Sequence, residues 1–223
     1  MIHLFSETQF QIFMALSQVE TLLSFSNEKD MDDEELIKGI ADMAKQGRLF
    51  ITDEQYKIRD DLKGLANMME DSKWVFRFSF GEHNHPERLV YVAYKNALVI
   101  AEKVDAGEET YIRVWKSELD EFIRDLLEDE ILPSSAIKKR QQAETMEESL
   151  FCEETMNTEP EQDWLRICKL DSKDGSLKCV LRIIKEEMYL GFCVEEGNQM
   201  VLQHIYSEEE FLNVLIEEME ESE

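Results

Sequence analysis

No segment of this chain is basic. Its 223 residues hold 24 Lys and Arg against 50 Asp and Glu, a formal net charge of −26. The deficit is spread along the chain: −7 over residues 1–73, −6 over 74–132, −5 over 133–163 and −8 over 164–223. Nucleic-acid binding needs Lys and Arg at phosphates, and that footprint is missing. The sequence therefore predicts no nucleic-acid partner. Nor does any apolar stretch approach the ~20 residues a bilayer-crossing helix requires, so no membrane insertion is expected. The opening Met1-Ile2-His3-Leu4-Phe5-Ser6 has no basic n-region and no cleavage site, and it does not read as a secretory signal.

Cysteine is sparse and uneven. Cys152, Cys168, Cys179 and Cys193 all fall in the second half. Three lie in expected strands, where Cys acts as a small apolar residue. Reduced thiols and a cytoplasmic location are the expectation. Cys168 and Cys179 flank an expected hairpin, and a reduced core pair is the reading for them.

Catalytic signatures are missing too. The phosphate-binding, dinucleotide-binding, zinc-protease and nucleophile-elbow motifs do not occur. His83-Asn84-His85 is the best metal-like spacing, but zinc takes three or four ligands and the sequence brings no others there. The expectation is no enzyme, no catalytic residue, no cofactor and no metal. The acidic excess reads first as a solvated surface. It also suits an immunity protein that neutralises a basic toxin domain, because charge of this sign steers such a partner.

What is present is a large apolar complement, 43% of residues, enough for a real core. Ser6 is placed to N-cap a first helix, with Phe10, Phe13, Met14, Leu16, Val19, Leu22 and Leu23 forming its stripe. A second helix is expected to bury Leu36, Ile37, Ile40, Met43 and Ala44 and to stop at Gly47. A short hairpin over Arg48–Thr52 and Tyr56–Arg59 leads to a third helix on Leu62, Leu65, Met68 and Met69. This order resembles a winged helix. The acidic last helix, with Asp60, Asp61, Glu70 and Asp71, favours a packing or protein-contact module over a DNA reader.

The rest holds a pattern that occurs twice, 90 positions apart. Trp74 and Trp164 each open a strand-rich run, and Ser117-Glu118 and Ser207-Glu208 each begin an acidic helix. Without a gap, Val90 meets Val180, Lys95 meets Lys185, Val104 meets Val194 and Gly107 meets Gly197. Trp74 to Phe80 alternates as a strand with one buried face. Ser117 and Ser207 are read as helix caps, and Asp174-Gly175 as a hairpin turn. Phe122 is matched to Leu212 and Leu126 to Ile216.

Four segments follow: a helical module over 1–73, a first β-meander plus helix over 74–132, an acidic connection over 133–163, and a second meander plus helix over 164–223. Together they form one compact α+β domain. The connection contains Lys138-Lys139-Arg140, the sole basic cluster, and the apolar Met146, Leu150 and Phe151. These three are the candidate partner-binding residues, since long connections tend to be functional; the alternative is that they tuck onto the protein's own core.

A first helix beginning near Phe5-Ser6-Glu7, a helical module ending at Gly47-Arg48-Leu49, and two sheet-plus-helix halves resemble the EspG-type and EsaE-like chaperones of type VII secretion. The resemblance implies halves related by a pseudo-twofold axis. It also implies a cytoplasmic chaperone that holds a secreted substrate, a helical hairpin with an LXG- or WXG-type targeting region. It assigns no binding residue by position.

Overall fold

A computed structural model describes residues 1–17, 32–52, 55–81, 85–107, 109–133, 163–185, 190–197 and 199–220. The N-terminal part runs β1 (Ile2–Ser6), α1 (Glu7–Leu16), α2 (Asp33–Lys45), β2 (Leu49–Ile51), β3 (Tyr56–Ile58) and α3 (Asp60–Glu70). Then come β4 (Trp74–Phe80), β5 (Arg88–Val92), β6 (Ala97–Ala106), β7 (Glu109–Glu118) and α4 (Leu119–Glu128). The last part is β8 (Asp163–Asp171), β9 (Leu177–Lys185), β10 (Leu190–Glu196), β11 (Gln199–Ile205) and α5 (Glu208–Glu220). The fold is α+β: N-terminal helices, then two antiparallel β-rich segments with helices.

One antiparallel nine-stranded sheet takes in all strands but β2 and β3, in the order β1-β7-β6-β5-β4-β8-β9-β10-β11. The two meanders join where β4 pairs with β8, from Trp74 opposite Asp171 to Phe80 opposite Leu165. From that seam the strand order runs outward alike on both sides, save that β1 adds to β7. Gly107 and Gly197 turn the outer hairpins with φ of 74° and 53°, a left-handed backbone that glycine adopts at no steric cost. Lys95 and Asn96 take φ of 61° and 59° between β5 and β6, the pair of positive φ values a type I′ hairpin requires.

Each sheet face builds its own core. One face packs α4 and α5: Leu119, Phe122 and Leu126 with Phe211, Leu215 and Met219 lie over Phe76, Phe78, Val90, Ile100, Ile167, Leu181 and Phe192. Phe122 meets Phe78 edge-on at 5.5 Å and Phe211 meets Phe192 edge-on at 5.9 Å, each pair adding about 0.5–1.5 kcal/mol beyond area burial. The opposite face of the first meander packs the N-terminal module, with Phe5, Phe13, Met43, Leu62 and Met69 against Val75, Tyr91, Val99 and Val114.

Several expectations need correction. Ile2–Ser6, ahead of the helix that Ser6 caps, is a strand paired to β7, an element not expected from the sequence. β4 buries both faces, Val75 as fully as Phe76, because it lies inside the sheet with a core on each side. Ser117 ends inside β7, and Glu118 occupies the α4 N-cap with no side-chain cap bond. In α2 only Gly39 and Met43 are buried, while Leu36 is 37% and Ile37 68% exposed. Gly39 is what touches: a Cβ there would stand 2.5 Å from Ile12 Cδ1 and 2.9 Å from Thr8 Cγ2.

The ungapped 90-residue alignment also fails within the sheet. Val90 packs under α4, but on β9 it is Cys179, Leu181 and Ile183 that face the helices, not Val180. A one-residue slip turns a side chain to the other face. In the helices the buried partners of Phe122 and Leu126 are Phe211 and Leu215, an offset of 89 rather than 90. Leu212 and Ile216 pack only partly.

Candidate protein-binding surface

The candidate residues Met146, Leu150 and Phe151 lie outside the described residues, as do Cys152, His83 and Asn84. His85 sits with its ring 5.2 Å from that of Phe80. Among the described residues no group of three or more His, Cys, Asp or Glu is arranged to hold a metal ion. Cys168 and Cys179 are free and sit on opposite faces, Cys168 beside the N-terminal core and Cys179 beneath the helices. Burial pushes the Cys179 and Cys193 thiols up to about 12, so both stay protonated and poorly nucleophilic at neutral pH.

The buried charges tie strands and helices together. Glu102, fully buried on β6, accepts from Arg88 on β5 at 2.7 Å and from Arg113 Nε on β7 at 2.7 Å. Arg88 also reaches Asp129, just past α4, at 3.5 Å. Arg182 on β9 bonds Asp163 at 2.7 Å and Glu195 on β10 at 3.0 Å. Burial raises the Asp163 carboxyl, opposed by its bond to Arg182. Lys169 on β8 bonds the Glu218 carboxylate at 2.8 Å and its backbone carbonyl at 2.9 Å, fastening α5 to the sheet. His3, buried on β1, lies 3.8 Å from Asp61 of α3; burial chiefly, with Arg59 and Arg48 adding, pulls its pKa below 6.5. Each of these groups has a structural partner.

The surface offers apolar side chains instead, and they are concentrated. Of the large apolar residues exposed among the described residues, eight of eleven precede residue 60. The β2–β3 hairpin is the clearest case. Leu49 opposes Ile58, both buried in the core, and on the same face Ile51 opposes Tyr56, 57% and 52% exposed. A buried base thus carries an apolar tip outward, with Phe50 51% exposed on the other face. Leu36 and Ile37 on α2 are exposed as well, and Ile2 and Leu4 on β1 are exposed on the other sheet face, that of Trp115. Nearby, a cleft of about 640 Å³ is lined by β1, α1, α2 and the start of β7, including Glu7, Lys38, Asp42, Arg48 and Glu109. Clustered exposed apolar residues rimmed by charge mark protein-contact sites. Sequence reading missed them because the helical period assigned Leu36 and Ile37 to the core.

These features define a fold class: a continuous antiparallel sheet clad by helices, with exposed apolar side chains concentrated in its N-terminal part. No protein-family model and no curated protein matches the sequence. The solved structures do contain the fold. The chain is similar over its whole length to the Mycobacterium tuberculosis type VII secretion system chaperone EspG5, whose structure was determined in complex with a PE25–PPE41 dimer. The TM-score is 0.54 at 13% identity, covering 100% of this chain and 96% of that one. The EspG-type resemblance therefore holds for the fold from end to end. Among the described residues no helix is long and apolar enough to cross a membrane.

Proposed function

We propose that this chain is a protein-binding chaperone that holds a helical secreted protein in the cytoplasm for type VII secretion. The observation that carries this reading is the full-length match to EspG5, a chaperone whose solved complex contains a PE–PPE dimer. The two meander-plus-helix halves are then products of duplication related by a pseudo-twofold axis, which the outward strand order from the β4–β8 seam supports. The N-terminal winged-helix-like module contributes the hairpin tip Phe50, Ile51 and Tyr56 as a contact surface. Met146, Leu150 and Phe151 are proposed as further contacts from the long acidic connection. The partner is a helical hairpin with an LXG- or WXG-type targeting region, whose apolar face needs shielding from water.

The test is co-expression with the neighbouring genes, pull-down at low and high salt, and identification of what elutes. A helical secretion substrate retained at high salt is expected. The double change Ile51→Asp/Tyr56→Asp should weaken its capture by about tenfold or more, as removal of central apolar contacts does. A basic toxin domain released at high salt would replace this reading with an acidic immunity protein.

A further inference from the structure

The nine-stranded sheet has two edges, and they differ. At one, β11 pairs with β10 through a register shift at Val194/Glu195, an irregularity of the kind that protects edges. At the other, β1 pairs with β7 in unbroken register from Ile2 opposite Trp115 to Ser6 opposite Tyr111. No other strand pairs with β1 among the described residues. Its sequence, Ile-His-Leu-Phe-Ser, has no Lys, no Pro and no bulge. Ile2 and Leu4 project from it, 62% and 46% exposed, on the face shared with Trp115. A regular apolar strand at an open edge is a template for an added strand.

We propose that β1 accepts an extended segment of a partner protein as a tenth strand, one with alternating apolar residues and a net positive charge. Charge decides the occupant. A second copy would bring another −26 to the edge. The cleft beside the Ser6 end of β1 holds Glu7, Glu35, Asp42 and Glu109 against Lys38 and Arg48, with Glu7 paired to Lys103 and Asp42 to Lys45. At the Ile2 end, Asp125 and Asp129 face Arg88 and Arg113, whose charges are already shared by Glu102. The chain's net charge of −26 repels an acidic strand and attracts a basic one. This goes beyond the helical-substrate reading, since an edge takes a strand.

The test uses the purified full chain and a labelled peptide, Lys-Ile-Thr-Val-Thr-Ile-Lys, with an acidic counterpart carrying Glu at both ends and a version with a central proline. Fluorescence anisotropy reads binding, and hydrogen exchange reads protection of the β1 amides. The basic peptide should bind and protect Ile2–Ser6, and the other two should not bind. Ile2→Lys and Leu4→Lys should each weaken it by about tenfold, as charges on an edge strand deter pairing. Ile2 is exposed enough that its Lys variant serves if Leu4→Lys unfolds. The proposal is overturned by no binding, by binding without β1 protection, by equal binding of the acidic peptide, or by affinity unchanged in the variants. A dimer of the chain that is lost in Leu4→Lys would also overturn it, assigning the edge to a second copy. Because no co-expressed substrate is involved, failure here leaves the chaperone reading standing, and the reverse.

Discussion

Single residues in this protein do structural work through charge that is buried and shared. Glu102 is the sharpest case. Its carboxylate is fully buried between the guanidiniums of Arg88, itself buried, and the half-exposed Arg113. Removing one partner of a buried ion pair leaves an uncompensated charge, which typically costs about 3–5 kcal/mol. Glu102→Ala should therefore lower stability by about 3 kcal/mol, the low end because solvent screens Arg113. Urea unfolding measures this, and a midpoint equal to the parent's would sink the idea. Nothing in the sequence singled Glu102 out among 50 acidic residues. Its meaning arises from cross-strand registers that place it opposite Arg88 and Arg113.

At the scale of the element, local signals were readable where neighbours in sequence decide the outcome. Ser6 N-caps α1, its hydroxyl accepting from the Gln9 amide at 3.2 Å while Gln9 bonds back to Ser6 in a capping box. β4 spans Trp74–Phe80 as the alternation predicted. Ser117 misled, because an N-cap preference yields when β7 continues pairing with β6 as far as Glu118. Two helical glycines give a paired test. Gly64 on α3 is exposed with nothing within 4 Å of an added Cβ, so Gly64→Ala should stabilise by about 1 kcal/mol. Gly39 on α2 faces Ile12 and Thr8 within 3 Å, so Gly39→Ala should cost about 1–2 kcal/mol net, overpacking outweighing the propensity gain. Thermal melts of the two variants should move in opposite directions. Shifts of the same sign would mean that the α1–α2 contact is not tight.

The whole molecule depends on one seam. β4 and β8 are each interior strands, and each completes the other's hydrogen bonding. Separating the halves would expose two interior edges and open both sides of the helix-covered core. Residues 163–223 expressed alone are therefore expected to aggregate or stay unfolded, and to be recovered when co-expressed with residues 1–133. Circular dichroism and size-exclusion chromatography read the outcome. A stable, monomeric 163–223 fragment would show that the second meander closes without β8 pairing to β4.

The sequence by itself determined what is local: the order of helices and strands after Ser6, the turns at Gly107, Gly175 and Gly197, the α1 cap and an α+β class without a basic surface. Capping, turn chemistry and apolar period act between residues a few positions apart, so they are written where they operate. Only the tertiary structure decided that the meanders fuse into one sheet, that β1 joins its edge, that Val180 faces away from the helices while Val90 faces them, and that Ile37 stays exposed. Those outcomes depend on pairings between residues far apart along the chain. They also depend on which face each element covers once the strands are aligned, a global choice that no short window of sequence contains.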